Sequence, residues 1–178
     1  TRATEPIVEA GAMRGVITES KSGRQAILAR QVIDATGDAD IAARAGVPCR
    51  AGRDEDGRMQ PFTMFFKCLN MDWPTAFMYA REHATELRAL AREVGNDGVL
   101  PGTDSYLHPE ETYFNCLHEH GVDGTNVDDI SKAAVSLRQK MWRNLELLRK
   151  HVPGCGDASL SASACAMGVR ESRRIMGE

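Results

Sequence analysis

The stretch Gln31-Val-Ile-Asp-Ala-Thr-Gly-Asp-Ala-Asp-Ile-Ala-Ala-Arg-Ala-Gly46 decides how the chain is read. A short apolar run, Val32-Ile33, extends the β-compatible Ala26-Ile-Leu-Ala29 and stops at Asp34-Ala-Thr-Gly37. The small residues Ala39, Ala42 and Ala43 then fall within a predicted helix over 38–45, with Asp38 at its start and Gly46 at its end. A strand that ends at a glycine and feeds a helix is the βα turn of a parallel α/β sheet, whose ligands lie at the carboxyl ends of the strands. Gly37 would let the backbone approach a ligand with no Cβ between them, and the helix behind it would offer free N–H groups to a phosphate. An ordinary tight turn has the same spacing, so both readings stand at this point.

Working outward, residues 7–34 read as β-structure. Arg14–Ser20 and Arg24–Arg30 flank the turn signal Lys21-Ser-Gly23, which predicts a hairpin whose second arm runs on into Gln31–Asp34. Downstream, residues 47–58 are polar and contain glycine, and read as a loop leaving one domain for another. Gln60–Asn70 is aromatic and β-compatible, a strand with Pro61 near its start, where proline is tolerated. Asp72 is a credible N-cap for a helix whose apolar stripe is Trp73, Phe77, Ala80, Ala84, Leu87, Ala91 and Val94, ended by Gly95. Residues 96–109 read as loop and Glu111–His118 as strand. A long helix follows from about Asp128 to Lys150, with the stripe Ile130, Ala134, Leu137, Met141, Leu145 and Leu148. Basic residues suit its C-terminal end, and Pro153-Gly154 stops it.

Composition narrows the function classes. The 178 residues are 42% hydrophobic and 26% charged, as in an ordinary globular protein of one domain or slightly more. A net charge of −3 implies no broad nucleic-acid surface, and no apolar run approaches a membrane span. The N-terminus, Thr1–Pro6, has neither Met nor a signal-peptide core. Five widely spaced cysteines without a CxxC pair suggest reduced thiols in a cytoplasm rather than a disulfide frame or zinc site.

Two groups stand out chemically. Cys116, His118 and His120 would share one face of a strand, within reach of one metal, although a strand end with an unligated cysteine has the same pattern, and no bound metal is expected. Arg170, Arg173 and Arg174 form the strongest local charge cluster. They are either solvated and paired with Glu171, or an anion clamp that grips carboxylate or phosphate through paired N–H bonds. No G-x-S-x-G elbow occurs, and Gly154-Cys-Gly156 lacks the third glycine of a dinucleotide fingerprint and follows a helix rather than a strand.

Taken together, Val32-Ile-Asp-Ala-Thr-Gly-Asp-Ala-Asp40 with Ala42-Ala43 and Ala45-Gly46, Met59-Gln-Pro61, Val152-Pro-Gly154 and Gly168-Val-Arg-Glu-Ser-Arg-Arg-Ile175 with Gly177 have a familiar order. The chain resembles the bacterial FAD-dependent oxidoreductases of the glutathione-reductase-like superfamily, distant relatives of the fumarate reductase and succinate dehydrogenase flavoproteins. The resemblance implies an α/β fold, α+β in its cap: a partial FAD-binding sheet domain, residues 1–48 and 160–178, interrupted by a substrate (cap) domain over 59–159. It further implies that Ala35, Thr36, Gly37 and Asp38 contact FAD, and that Arg170, Arg173 and Arg174 act on a substrate carboxylate in the cap–flavin region. The expected reaction is hydride transfer between a small organic substrate and FAD.

The family's N-terminal GxGxxG segment, the acidic residue after it and the C-terminal Gly-Asp segment have no counterpart in this sequence. The expectation is therefore an internal piece of a longer protein, missing N- and C-terminal segments of its parent, inactive when isolated and able to lack FAD. The alternative is a non-catalytic cap or interaction domain that binds no flavin by itself. Neither reading calls for nucleic acid or membrane as a partner.

Overall fold

The computed structural model describes residues 1–98, 106–108 and 111–177. In chain order its elements are β1 (Arg2–Glu9), β2 (Ala12–Ser20), β3 (Gly23–Leu28), α1 (Asp40–Arg44), β4 (Cys49–Arg50), β5 (Phe62–Leu69), α2 (Trp73–Glu82), α3 (Ala84–Glu93), β6 (Tyr106–His108), β7 (Glu111–Glu119), α4 (Val127–His151), β8 (Ser159–Ser163) and β9 (Arg174–Ile175). Helices and sheets are mixed, as expected of an α/β chain. The chain divides into two compact units, Thr1–Met59 with Glu171–Glu178, and Gln60–Arg170. Among the described residues no helix is long and apolar enough to cross a membrane.

The first unit is built on an antiparallel meander, β1-β2-β3. Its second hairpin turns at Lys21–Ser22, where the turn residues were expected, and Gly23 closes it with φ +89. Pro6 sits in β1, an edge strand, where its missing N–H costs least. β3 stops at Leu28, and the Ala29 N–H donates to the Arg14 carbonyl (2.9 Å) as the chain leaves the sheet. Val32-Ile33, expected as the end of a buried parallel strand, has no regular structure, and Ile33 is 91% exposed. A strand needs a neighbour to take its backbone hydrogen bonds, and no described segment pairs with this one; every described strand pairing is antiparallel. The segment expected as a plain loop, 47–58, contains β4, which pairs with β9 and ties the end of the chain to this unit.

The second unit has a sheet in the order β6-β7-β5-β8 with helices packed on one face. Along β5 alternate residues point inward: Phe62, Met64, Phe66 and Cys68 are buried, while Phe65 and Lys67 are not. They meet Leu137, Met141, Leu145 and Leu148 of α4, whose 3–4 spacing was legible in the sequence. Asn126 caps α4 by accepting the Asp128 and Asp129 N–H groups. Past Val152, Gly154 adopts φ +84, and a Cβ there would stand 2.7 Å from the Asp72 carbonyl.

The helix expected over 73–94 is two helices. It breaks at His83 (φ −109°, ψ 26°), whose ring stacks on Tyr79 at 4.1 Å. Each part buries its own residues, Trp73 and Ala76 in α2, Leu87 and Ala91 in α3. Residues 160–170, grouped with the flavin-type part in the sequence reading, belong to the second unit: β8 pairs with β5, and Thr63 exchanges backbone hydrogen bonds with Gly168. The loop expected over 96–109 lies largely outside the described residues.

Candidate functional site

In the first unit the residues 34–40 form a turn organised by one carboxylate. Asp34 accepts the Thr36 N–H on one oxygen (2.9 Å) and the Ala42 N–H on the other (2.7 Å). Thr36 accepts the Asp40 N–H on its hydroxyl (2.9 Å). An aspartate that bonds the backbone two residues on is an Asx turn, and here it also caps α1. Burial works to raise the Asp34 pKa, but the N–H bonds from Ala42, Thr36 and Ile41, with the Thr36 hydroxyl, outweigh it and hold the carboxyl below its usual value.

This arrangement corrects one expectation. The first N–H groups of α1 are not open to a phosphate, because Asp34 and Thr36 already occupy them. A second anion there would also meet the Asp34 charge at close range. What remains open is the backbone at Gly37: φ is +86, and a Cβ built on it would meet nothing within 4 Å. Ala35, Thr36 and Gly37 are all exposed.

The C-terminal segment closes on this turn from 133 or more positions away. Ser172, 1% exposed, donates its hydroxyl to Asp38 (2.6 Å). Arg173 donates to Asp40 (3.0 Å), and Arg174 donates to the Gly52 carbonyl (2.7 Å) and Glu171 (2.9 Å) and lies 3.4 Å from Asp54. Asp38, expected at a cofactor, is thus engaged by Ser172, and the two conspicuous sequence blocks meet in space. Asp40, Asp54 and Ser172 were not singled out by sequence reasoning. Nothing local marks a pair of residues so far apart in the chain.

The three arginines do not form one clamp of unpaired cations. Arg173 and Arg174 are both neutralised by carboxylates of the first unit, and Arg170 belongs to the second, where its side chain is exposed. Arg170 lies near His118 on β7, and its charge helps to depress that imidazole. Burial is the largest cause of the depression; Asp97, with one oxygen 3.1 Å from His118 Nδ1 and 3.1 Å from His120 Nε2, opposes it. Cys116 does not join the two histidines as a ligand set. It is buried against Asn144 of α4, and among the described residues no group of three His, Cys, Asp or Glu side chains is arranged to hold a metal. Burial pushes the Cys68, Cys116 and Cys155 thiols up to about 12, so they are protonated, apolar fillers at neutral pH.

The residues fit FAD in one respect. The open backbone at Thr36-Gly37, with exposed apolar side chains at Ile27, Leu28 and Ile33 in the same unit, suits close contact with an uncharged, flat part of a dinucleotide. The aspartates 34, 38 and 40 make the turn unsuited to its pyrophosphate.

No curated protein and no solved structure matches the chain. A family model does, over residues 1–178, the whole chain, and its description is FAD dependent oxidoreductase. With the fold class and the open turn already in place, that match shows that the chain belongs to the family of FAD-dependent oxidoreductases and that FAD is the cofactor of its chemistry.

Proposed function

We propose that the chain serves a reaction in which a hydride passes between a small organic substrate, such as a carboxylate, and FAD. In this reading the unit Thr1–Met59 with Glu171–Glu178 is part of the flavin-binding body, and Gln60–Arg170 is the substrate cap. FAD, when bound, supplies the hydride acceptor or donor; the protein binds, orients and excludes water. The backbone of Ala35, Thr36 and Gly37 lies against the cofactor, and Asp38, held by Ser172, keeps the turn in shape. Arg170 is the arginine whose guanidinium meets the substrate carboxylate, through paired N–H bonds. Arg173 and Arg174 act as positioning residues through Asp40 and Asp54. No described cysteine is held in a disulfide, which suits a reducing cytoplasm.

The observation that carries the reading is the open left-handed turn at Gly37, clasped by the Ser172–Arg174 segment, in a chain matched over its whole length by the family. The test is flavin content. Gly37→Asn tolerates the left-handed backbone and places a side chain in the open space. Expected outcomes are a flavin occupancy reduced roughly tenfold at saturating load, with a thermal melt close to that of the parent protein. Arg170→Gln should retain FAD while anaerobic flavin reduction by a panel of small hydroxy carboxylates slows. Unchanged flavin occupancy in Gly37→Asn, or no flavin bound by either protein, would remove the cofactor contact from this turn.

A further inference from the structure

In the second unit the described helices pack on one face of the sheet, and the opposite face has an unusual composition around Phe65 and Lys67. In β5, Phe66 and Cys68 point into the core, so Phe65 and Lys67 point away from it. Register extends this face sideways. Lys67 stands opposite Tyr113 of β7 on one side and Ala162 of β8 on the other, and the Ala164 N–H donates to the Phe65 carbonyl (2.8 Å). The solvent face of an antiparallel sheet is ordinarily polar. This one sets two aromatic rings, with centroids 6.0 Å apart, beside two alanines. Large side chains on one flank and methyl groups on the other leave a recess of about 350 Å³, lined by Phe65, Lys67, Tyr113, Ala162 and Ala164 among others.

Two features shape the recess further. The pairing of β5 slips on both sides at this point, between Met64 and Phe66 against β7 and between Lys67 and Cys68 against β8. Such bulges bend a strand and re-aim its side chains, and they concentrate beside binding sites. Among the described residues the cation at the rim is already spent: Lys67 Nζ is 2.8 Å from Glu111 Oε2, and the other Glu111 oxygen accepts the Ser161 hydroxyl (2.9 Å). The described lining therefore offers apolar walls and no uncompensated charge.

We propose that this recess binds an uncharged, planar aromatic group of a small molecule, the part of the substrate that a carboxylate-binding arginine would not hold. The assignment to substrate rests on the functional reading above; the binding itself does not. The volume is that of a small-ligand pocket, Phe65, 39% exposed, offers a ring for stacking, and the alanines leave the space a ring would fill.

The test uses the whole chain and three probes: indole, benzoate and riboflavin, followed by methyl and backbone NMR shifts with no FAD added. Indole should shift the resonances of Phe65, Tyr113, Ala162 and Ala164, and should bind roughly tenfold more tightly than benzoate. Ala162→Phe, which fills the recess from the exposed face of β8, should weaken indole by roughly tenfold or more with the melt unchanged. Phe65→Ala should weaken it as well, by removing a wall instead of filling the space. The proposal is overturned if indole shifts none of these residues, if both variants bind it like the parent chain, or if benzoate binds as tightly. It is overturned equally if riboflavin displaces indole, which would make the recess a flavin seat, or if the chain is a dimer that Ala162→Phe dissociates, which would make it a self-interface. Flavin occupancy measured separately on the same protein distinguishes failure of the cofactor assignment from failure of this one.

Discussion

The two units are built from similar lengths of β-structure and differ in what they bury. The second encloses a continuous core in which Phe62, Phe66, Phe114, Leu137, Leu145 and Leu148 are almost wholly removed from water. In the first, the buried hydrophobic side chains among the described residues are Ala39 and Ile41, while every residue of β3 is exposed and Leu28 and Ile33 are 74% and 91% exposed. The first unit is held by sheet hydrogen bonds, the Asp34 turn and the ion pairs of Arg173 and Arg174; the second is held mainly by burial. Apolar surface left open in this way is what binding faces present. The unit that carries the Gly37 turn leaves such surface open with little core behind it, so its stability should respond to what binds it more than the second unit's does.

The largest effect should come from truncating the core of the second unit. Phe66→Ala should cost ~3–5 kcal/mol, because it removes a fully buried ring that stacks on Phe114. Ile27→Ala in the first unit, at a side chain 53% exposed, should stay within ~0.5 kcal/mol. Urea titrations that follow the methyls of Met13 and Met141 separately read each unit; a comparable loss from Ile27→Ala would mean that the first unit has a core after all.

Next in size is the carboxylate that organises the turn. Asp34→Ala removes the acceptor for the Thr36 and Ala42 N–H groups and should cost ~0.5–2 kcal/mol, the range of a lost helix cap. The loss should register at Met13 and leave Met141 unmoved. A shift at both would show that the units unfold as one.

The smallest effects are those of pH, and the two units should separate along that axis. His118 has a folded pKa below its ordinary 6.5, chiefly from burial, so the folded form binds fewer protons than the unfolded chain. Its contribution is present above 6.5 and is lost as pH falls from there toward the depressed folded value. Asp34 has a folded pKa below 3.8; its contribution is present above 3.8 and is lost as pH falls through the folded value. Just below pH 6.5 the second unit should therefore weaken first, and His118→Gln should flatten that slope. Persistence of the slope in the variant would assign it to another group.

Local signals in the sequence were enough for much of the second unit. The stripe Leu137, Met141, Leu145 and Leu148 and the stop at Pro153-Gly154 mark α4, and the runs Gln60–Asn70 and Glu111–His118 mark β5 and β7, because periodicity, caps and breakers act over a few residues. The hairpin turn at Lys21–Gly23 was legible for the same reason. Two features were decided by tertiary structure alone. Val32-Ile33 has strand composition and no strand, since an extended segment needs a partner for its backbone. The break at His83 interrupts an apolar stripe that looks continuous, because each half buries its own residues.

At the site, the sequence singled out the Asp34–Asp38 turn and the Arg170–Arg174 cluster but not their relation. Composition shows charges, and only the folded chain shows that Arg173 and Arg174 are matched to Asp40 and Asp54 while Arg170 lies in another unit. What the sequence determined by itself was local: helix limits, the hydrophobic faces and a glycine free to adopt a left-handed turn. What only the tertiary structure decided was long-range: which carboxylate meets which guanidinium, and which N–H groups Asp34 takes before any ligand can, because those pairings join residues that nothing in local sequence links.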